Sequence, residues 1–383
     1  MEFMNQGTPA SQLYIGLMSG TSMDGVDAVL VDLTQAHQIK LCASVQLEFS
    51  APLRELAMSL QSAGANEIMR EAELANQLAR VYADAVHALL QQVAAQGITR
   101  QAIRAIGVHG QTIRHRPELG MTRQTNNPAL LAELTNIDVI ADFRSRDIAA
   151  GGQGAPLVPA FHRAVFGAEQ QTRVLVNIGG MSNISILHAD GSTLGFDTGP
   201  GNVLMDAWIQ QHQAQSFDRD GAWGAQGNVQ HALVNAWMND PYFSLPAPKS
   251  TGRDLFDLNW LQQRLVSYGY VAAHDVQATL HAFTARSIAK AIADYGDATE
   301  FVYVCGGGAY NAYLMRLLKQ ELCSQFGREI PLENTAHLGV QAEHVEALAF
   351  AWLAQQFVER KTGNLPAVTG AKGGRILGAL YPA

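Results

Sequence analysis

The chain is poor in cysteine and in charge. Cys42, Cys305 and Cys323 stand far apart among 383 residues and form no C-x-x-C pair. That spacing excludes a disulfide framework and a zinc ribbon. Only 16% of residues are charged, 34 acidic against 26 basic, for a formal charge of −8. With no surplus of cations to neutralise a phosphate backbone, no nucleic-acid partner is expected. The longest apolar stretches, such as 347–354, fall far short of the roughly 20 residues that span a bilayer, so no membrane partner is expected. Residues 1–11 are polar, carry Glu2 and lack the cationic start and apolar run of a secretory leader. They read as a loose tail, and the chain as a cytoplasmic protein. No Walker A sequence, G-x-G-x-x-G, H-E-x-x-H or G-x-S-x-G occurs, so P-loop, Rossmann, zincin and nucleophile-elbow chemistry have no sequence support.

What is present is an ordinary apolar share, 48%, and a length that suits two or three domains. Short apolar runs at 13–17, 26–33 and 39–49 read as strands, the first two joined by a glycine-bracketed turn as a hairpin. Leu74, Leu78, Val81, Ala85, Leu89 and Val93 recur at three- and four-residue spacing within 66–96, one apolar face of a helix that Gly97 stops. A strand at 103–109, a helix at 128–135 and a strand at 137–143 follow. The second half repeats much of that order. Strands are expected at 173–178, 183–188 and 194–197, with a helix from just after Asn202 to about 213. An irregular insertion fills 218–252. A helix at 275–295, a strand at 301–305 and helices at 311–326 and 343–358 complete the chain. The repeat is one of element order and predicts an α/β protein of two facing domains with a shared ligand cleft. The first domain is placed at 13–150, joined by part of 360–383, and the second at 151–359.

The residues able to do chemistry gather at the expected turns. Gly20, Thr21, Ser22, Asp24, Gly25 and Asp27 offer pliant backbone, hydroxyl donors and two carboxylates able to hold Mg²⁺ beside phosphates. The plain alternative is an ordinary Gly/Asp turn. Gly179, Gly180, Ser182 and Asn183 stand at the matching place in the second half. Asp197 closes a strand before the rigid turn Gly199-Pro200-Gly201, which suits a general base. Its distance from the helix start near Asn202 argues against a mere cap. Gly306, Gly307 and Gly308 end a strand and let a flat ligand or a phosphate lie on bare backbone. His109 and Gln111 suit sugar hydroxyls, while Arg114 and Arg116 could meet a carboxylate. No metal is assigned to His109 and His115. The 142–147 cluster reads as ion pairs or as a site for a small anion. Glu346 is either a favourable charge at a helix N-terminus or a second working carboxylate. Three glycine turns and acids at strand ends point to phosphoryl transfer.

The run Gly16-Leu17-Met18-Ser19-Gly20-Thr21-Ser22-Met23-Asp24-Gly25-Val26-Asp27 closely resembles the first phosphate segment of anhydro-N-acetylmuramic acid kinases. So do 107–116, 142–156, 196–202, 249–255, 305–311, 346–354 and 365–370, so the resemblance covers nearly the whole chain from Leu13. It implies two ribonuclease H-like domains of the sugar kinase, actin and heat-shock chaperone superfamily around a central cleft. It also implies ATP and Mg²⁺, with 1,6-anhydro-N-acetylmuramic acid as the small-molecule substrate. The products would be N-acetylmuramic acid 6-phosphate and ADP, in peptidoglycan recycling. By the same resemblance Asp197 activates the water and Glu346 is the second carboxylate. The turns 20–27 and 179–183 hold phosphates, with Asp24 the candidate Mg²⁺ ligand. The 306–308 turn lies against adenosine. His109, Gln111 and Arg144 meet the sugar, with Arg146 an alternative for its carboxylate. Dimers are usual among such relatives, so a homodimer is a further expectation. A simple sugar kinase acting on a free hydroxyl and an actin- or chaperone-like nucleotide switch are the rival readings.

Overall fold

A computed structural model describes residues 12–20, 23–35, 38–253 and 255–383. The tail at 1–11, together with Thr21 and Ser22 of the first glycine turn, lies outside these described residues. The chain divides into two compact units. One runs through Val165 and takes in Glu346–Ala383, and the other is Phe166–Val345.

The first unit opens with β1 (Leu13–Met18), β2 (Gly25–Gln35) and β3 (Gln38–Glu48), an antiparallel meander. The helix Glu67–Val93 then carries the chain back, so that β4 (Ile103–Val108) lies parallel to β1. A polar ribbon, β5 (Gln111–Arg116) with β6 (Met121–Thr125), and the helix Pro128–Thr135 precede β7 (Val139–Ala141), parallel to β4. A last strand, Ala379–Tyr381, closes the sheet beside β7, running antiparallel to it. The expected helical face is present: Leu74, Leu78, Ala85, Leu89 and Val93 are buried and pack with Ile15, Leu17 and Ile106. Val81 is only partly buried. A 3₁₀ turn follows the helix, and Gly97 at φ 74° ends it. β1 is buried on both faces, as its unbroken apolar run requires.

The second unit repeats the plan. Its meander is β8 (Arg173–Ile178), β9 (Met181–Leu187) and β10 (Thr193–Pro200). β11 (Phe301–Cys305) lies parallel to β8, and β12 (Leu332–Asn334) parallel to β11. Strand order is β3-β2-β1-β4-β7 in the first sheet, with Ala379–Tyr381 outside β7, and β10-β9-β8-β11-β12 in the second. Each thus has three antiparallel strands followed by two parallel additions, and the first ends on one further antiparallel strand. The element order predicted this repeat, and the family resemblance implied its ribonuclease H-like form. The insertion at 218–252 holds short 3₁₀ turns and the helix His231–Trp237, whose Trp237 packs edge-on against Phe283 of the helix Ala273–Tyr295.

The division differs from the one drawn on sequence, which placed 151–165 and 346–359 in the second domain. The helix Val345–Val358 belongs with the first unit because two glycines leave room for its backbone. Gly16 and Gly107 are register partners on β1 and β4. A Cβ on Gly16 would overlap the Ala347 carbonyl, and one on Gly107 the Phe350 carbonyl. Phe161 likewise meets Trp352 of that helix edge-on, keeping the helix Val158–Phe166 largely with the first unit.

Candidate active site

In the first unit the expected sugar and phosphate residues are linked to one another. Gly20 follows β1, and its carbonyl accepts from the Gln111 amide nitrogen at 3.1 Å. Gln111 is fully buried, so it sets the glycine turn against the start of β5. Asp24 is exposed at the turn and Asp27 half-buried on β2, opposite Met18. His109 follows β4, and its main-chain N–H donates to the Leu17 carbonyl at 3.0 Å. Its ring lies 4.7 Å from that of Phe350. Glu346 is half-buried in the first turn of the 345–358 helix, four residues before Phe350 and so on the same helical face. The Gly16–Gly107 groove therefore fixes Glu346 on the side of the helix that meets His109.

Arg144 reaches the same place. Its Nε and Nη2 stand 3.2 and 3.0 Å from His109 Nε2, and its Nη1 donates to the Gly154 carbonyl at 2.8 Å. A guanidinium has only donors, so Nε2 must be the acceptor and the proton must sit on Nδ1. Burial, then the Arg144 charge, hold the His109 pKa well below its ordinary value. His109 is thus a neutral platform here and not a proton carrier. The other basic residues are engaged elsewhere. Arg114 pairs with Glu67 and Arg116 with Glu118. Arg146 lines a different cavity from the one His109 lines. Asp147 is fully buried and accepts from the Gly154 N–H, the Asn364 amide and the Thr369 hydroxyl.

In the second unit, Gly179 and Gly180 form the tight turn between β8 and β9. The Asn202 N–H donates to the Gly179 carbonyl at 2.8 Å and the Val203 N–H to that of Gly180 at 3.0 Å. The turn is thereby stapled to the start of the helix Val203–Gln213. Ser182 was expected at phosphate, but it is fully buried and its hydroxyl lies 2.6 Å from that of Thr198. It braces β9 against β10. Asn183 is half-buried and sits opposite Asp197 in the sheet.

Asp197 is held from three sides. Its N–H donates to the Lys249 carbonyl at 3.0 Å, and its carbonyl accepts from the Tyr242 hydroxyl at 2.5 Å. Its Oδ2 accepts from the Thr251 N–H at 3.0 Å. Burial first, and the Asp197 charge second, push the Tyr242 pKa up, so the phenol keeps the proton it donates. Tyr242, Lys249 and Thr251 lie in or beside the stretch first read as an irregular insertion. Its sequence clue was the Lys249-Ser250-Thr251-Gly252 run, and the insertion in fact carries the support of the carboxylate.

The 306–308 turn is less open than three glycines imply. Gly306 sits at φ 78°, and a Cβ there would overlap Asn177. A Cβ on Gly308 would overlap Ile178. Both glycines serve close packing on the end of β8. Gly307 alone is exposed, and only the Asn202 amide nitrogen lies near its bare face, 3.9 Å from the position of a Cβ.

A model of the family described as anhydro-N-acetylmuramic acid kinase matches residues 12–383. The chain belongs to that family. It is similar to the anhydro-N-acetylmuramic acid kinase of Burkholderia orbicola (strain MC0-3), 54% identical over 98% of this chain and 97% of that one. The anhydro-N-acetylmuramic acid kinase of Paraburkholderia xenovorans (strain LB400) is 53% identical over 98% and 99%. Among solved structures, component A of (R)-2-hydroxyglutaryl-CoA dehydratase from Acidaminococcus fermentans aligns over 88% of this chain and 96% of that one. The TM-score is 0.46 and the identity 11%. Membership of the kinase family places the glycine turns, the acids and His109 in a family whose members phosphorylate a sugar. Among the described residues no helix is long and apolar enough to cross a membrane.

Proposed function

We propose that the chain cleaves the 1,6-anhydro bond of 1,6-anhydro-N-acetylmuramic acid and phosphorylates O6 with ATP, yielding N-acetylmuramic acid 6-phosphate and ADP. Reuse of cell-wall fragments in the cytoplasm is the corresponding role. The family match along residues 12–383, with relatives more than half identical over nearly their whole length, carries this reading.

The chemistry follows from the substrate. O6 bridges to the anomeric carbon, so it has no proton to lose and cannot attack ATP as a free hydroxyl. A water attacks the anomeric carbon, the bond from that carbon to O6 breaks, and O6 takes the γ-phosphoryl group as ADP leaves. One water proton passes to Asp197, and the other stays on the new anomeric hydroxyl. This is the logic of an inverting glycosidase, with a phosphoryl group in the place of the general acid. The Thr251 N–H keeps one Asp197 oxygen anchored while the carboxylate works. Glu346 is the second carboxylate, orienting the water or meeting the charged nucleotide. Arg144, His109 and Gln111 bind the sugar, with Arg144 nearest in chemistry to its carboxylate. Gly20, Thr21 and Ser22 with Gly179 and Gly180 receive phosphates, and Gly307 offers the open backbone for adenosine.

Asp24, exposed at its turn, and Asp27 beside it suit Mg²⁺, which keeps most of its water and takes one or two carboxylates together with phosphates. The cation would supply charge neutralisation at the phosphates. Replacing Asp197 by Asn tests the assignment. Turnover should fall by roughly three orders of magnitude, while ATP binding and the melting temperature stay as in the wild type. Near-normal turnover would remove Asp197 from the role of base.

A further inference from the structure

The stretch 360–383 carries Arg360, Lys361, Lys372 and Arg375 and no acidic side chain, in a chain of formal charge −8. Two of these cations converge with a third from elsewhere in the sequence. Arg360, Arg375 and Arg146 line a cavity of about 410 Å³ in the first unit. Phe357 and Ile376 supply apolar wall, and Gly374 and Gly378 add side-chain-free backbone. No carboxylate lines it. Among the described residues none of the three arginines is in an ion pair, and Arg375 uses one Nη1 on the Gly374 carbonyl at 2.8 Å. The adjacent acid, Glu359, is occupied by Lys361 at 2.7 Å.

Two details show how the cluster is built. Arg146 lies two residues beyond Arg144, which is turned to His109, and so two near neighbours serve separate places. Arg360 holds φ 58° just past the 345–358 helix, where the Lys361 N–H returns to the Gln356 carbonyl at 2.8 Å. That left-handed closing position favours glycine, and an arginine stands there instead.

We propose that this cavity is an anion site, separate from the reacting residues, that takes the phosphate group of a small phosphorylated molecule. Planar guanidinium forks match phosphate oxygens two at a time, and several of them around one cavity favour a dianion over chloride. The volume lies in the range of small-ligand clefts, and the Phe357–Ile376 wall gives a carbon skeleton a surface to cover. The source is either a sugar phosphate or free phosphate, which share the recognised group. The proposal does not depend on which reaction the chain catalyses.

Calorimetric titration of the full chain with glucose 6-phosphate and, separately, inorganic phosphate tests it. Binding of at least one of the two at millimolar or lower concentration is expected, and the tighter of the two names the source. The double variant Arg360→Gln/Arg375→Gln should weaken that binding by about tenfold or more, as loss of two charge-assisted contacts implies. Lys372→Gln, which removes a like charge that does not line the cavity, should change it by no more than about twofold. Arg146→Lys keeps the charge, loses the fork and should weaken binding by about threefold, which keeps the test alive should the double variant misfold. Sugar turnover by the double variant should stay within about twofold of wild type. Absence of heat with both probes, or equal affinity in the double variant, would overturn the proposal. So would equal weakening by Lys372→Gln, or loss of sugar turnover in the double variant.

Discussion

Asp197 shows how one carboxylate is fixed by residues distant in sequence. Thr251 gives its N–H to Asp197 Oδ2 across a separation of 54 positions. Such a bond holds the carboxylate in one orientation. Thr251→Pro removes the donor and frees the carboxylate to turn, so kcat should fall by about tenfold or more. Thr251→Val keeps the N–H, and the Thr251 hydroxyl has no hydrogen-bond partner among the described residues, so that variant should keep the wild-type kcat. An unchanged kcat in the proline variant would show that the bond does not position the carboxylate. Asp197 itself was legible because a rigid Gly-Pro-Gly turn follows it. Thr251 was not, because its role is a tertiary pairing that no local pattern encodes. A second residue-scale effect concerns stability. Burial lowers the His162 pKa from about 6.5 to about 3. A group so depressed binds its proton in the unfolded chain first, so stability is complete above about pH 6.5 and is lost as pH falls towards 3. Each such histidine costs up to about 1.4 kcal/mol per pH unit in that window. Urea unfolding from pH 7 to 5 should therefore show a shallower pH slope in His162→Leu than in wild type.

Among the elements, the two glycine hairpins and the long helix were readable because period and punctuation agreed. β1 and β2 lie at Leu13–Met18 and Gly25–Gln35, and the helix ends at Val93 before Gly97. The helix Ala51–Ser59 was missed, having only Leu53 and Ala57 buried, too few for a period. The strand Ala379–Tyr381 was missed because three residues carry no pattern and pair only with a distant edge. Gly16 illustrates a glycine whose role could not be seen locally. It lay inside the phosphate-like run, yet its missing side chain admits the backbone of the 345–358 helix. Gly16→Ala should destabilise the protein by about 1–3 kcal/mol by overpacking that groove. Denaturant unfolding gives the value directly, and an unchanged midpoint would mean that the helix can shift at no cost. The same groove places Glu346, so this substitution should also lower turnover at temperatures where the variant remains folded.

For the whole molecule, the sparse and net negative charge spoke against a nucleic-acid partner and left catalysis on a small molecule as the natural reading. The duplicated sheet order was legible as a repeat of elements. The allocation of the 345–358 helix was not, because sequence order favours the unit just left and only the glycine pair reveals the other. Of the expected sugar and phosphate residues, Gln111 reaches the Gly20 carbonyl and Arg144 reaches His109. Ser182, Gly306 and Gly308 instead hold the scaffold. The central claim is that hydrolysis and phosphorylation are one event. Incubation with ATP, Mg²⁺ and 1,6-anhydro-N-acetylmuramic acid in heavy-oxygen water, followed by one mass spectrum of the sugar, tests it. The account predicts a product bearing both a phosphate and one heavy oxygen at the anomeric carbon. A sugar that gains neither, while a free amino sugar is phosphorylated under the same conditions, would contradict it and make Asp197 a base for a hydroxyl.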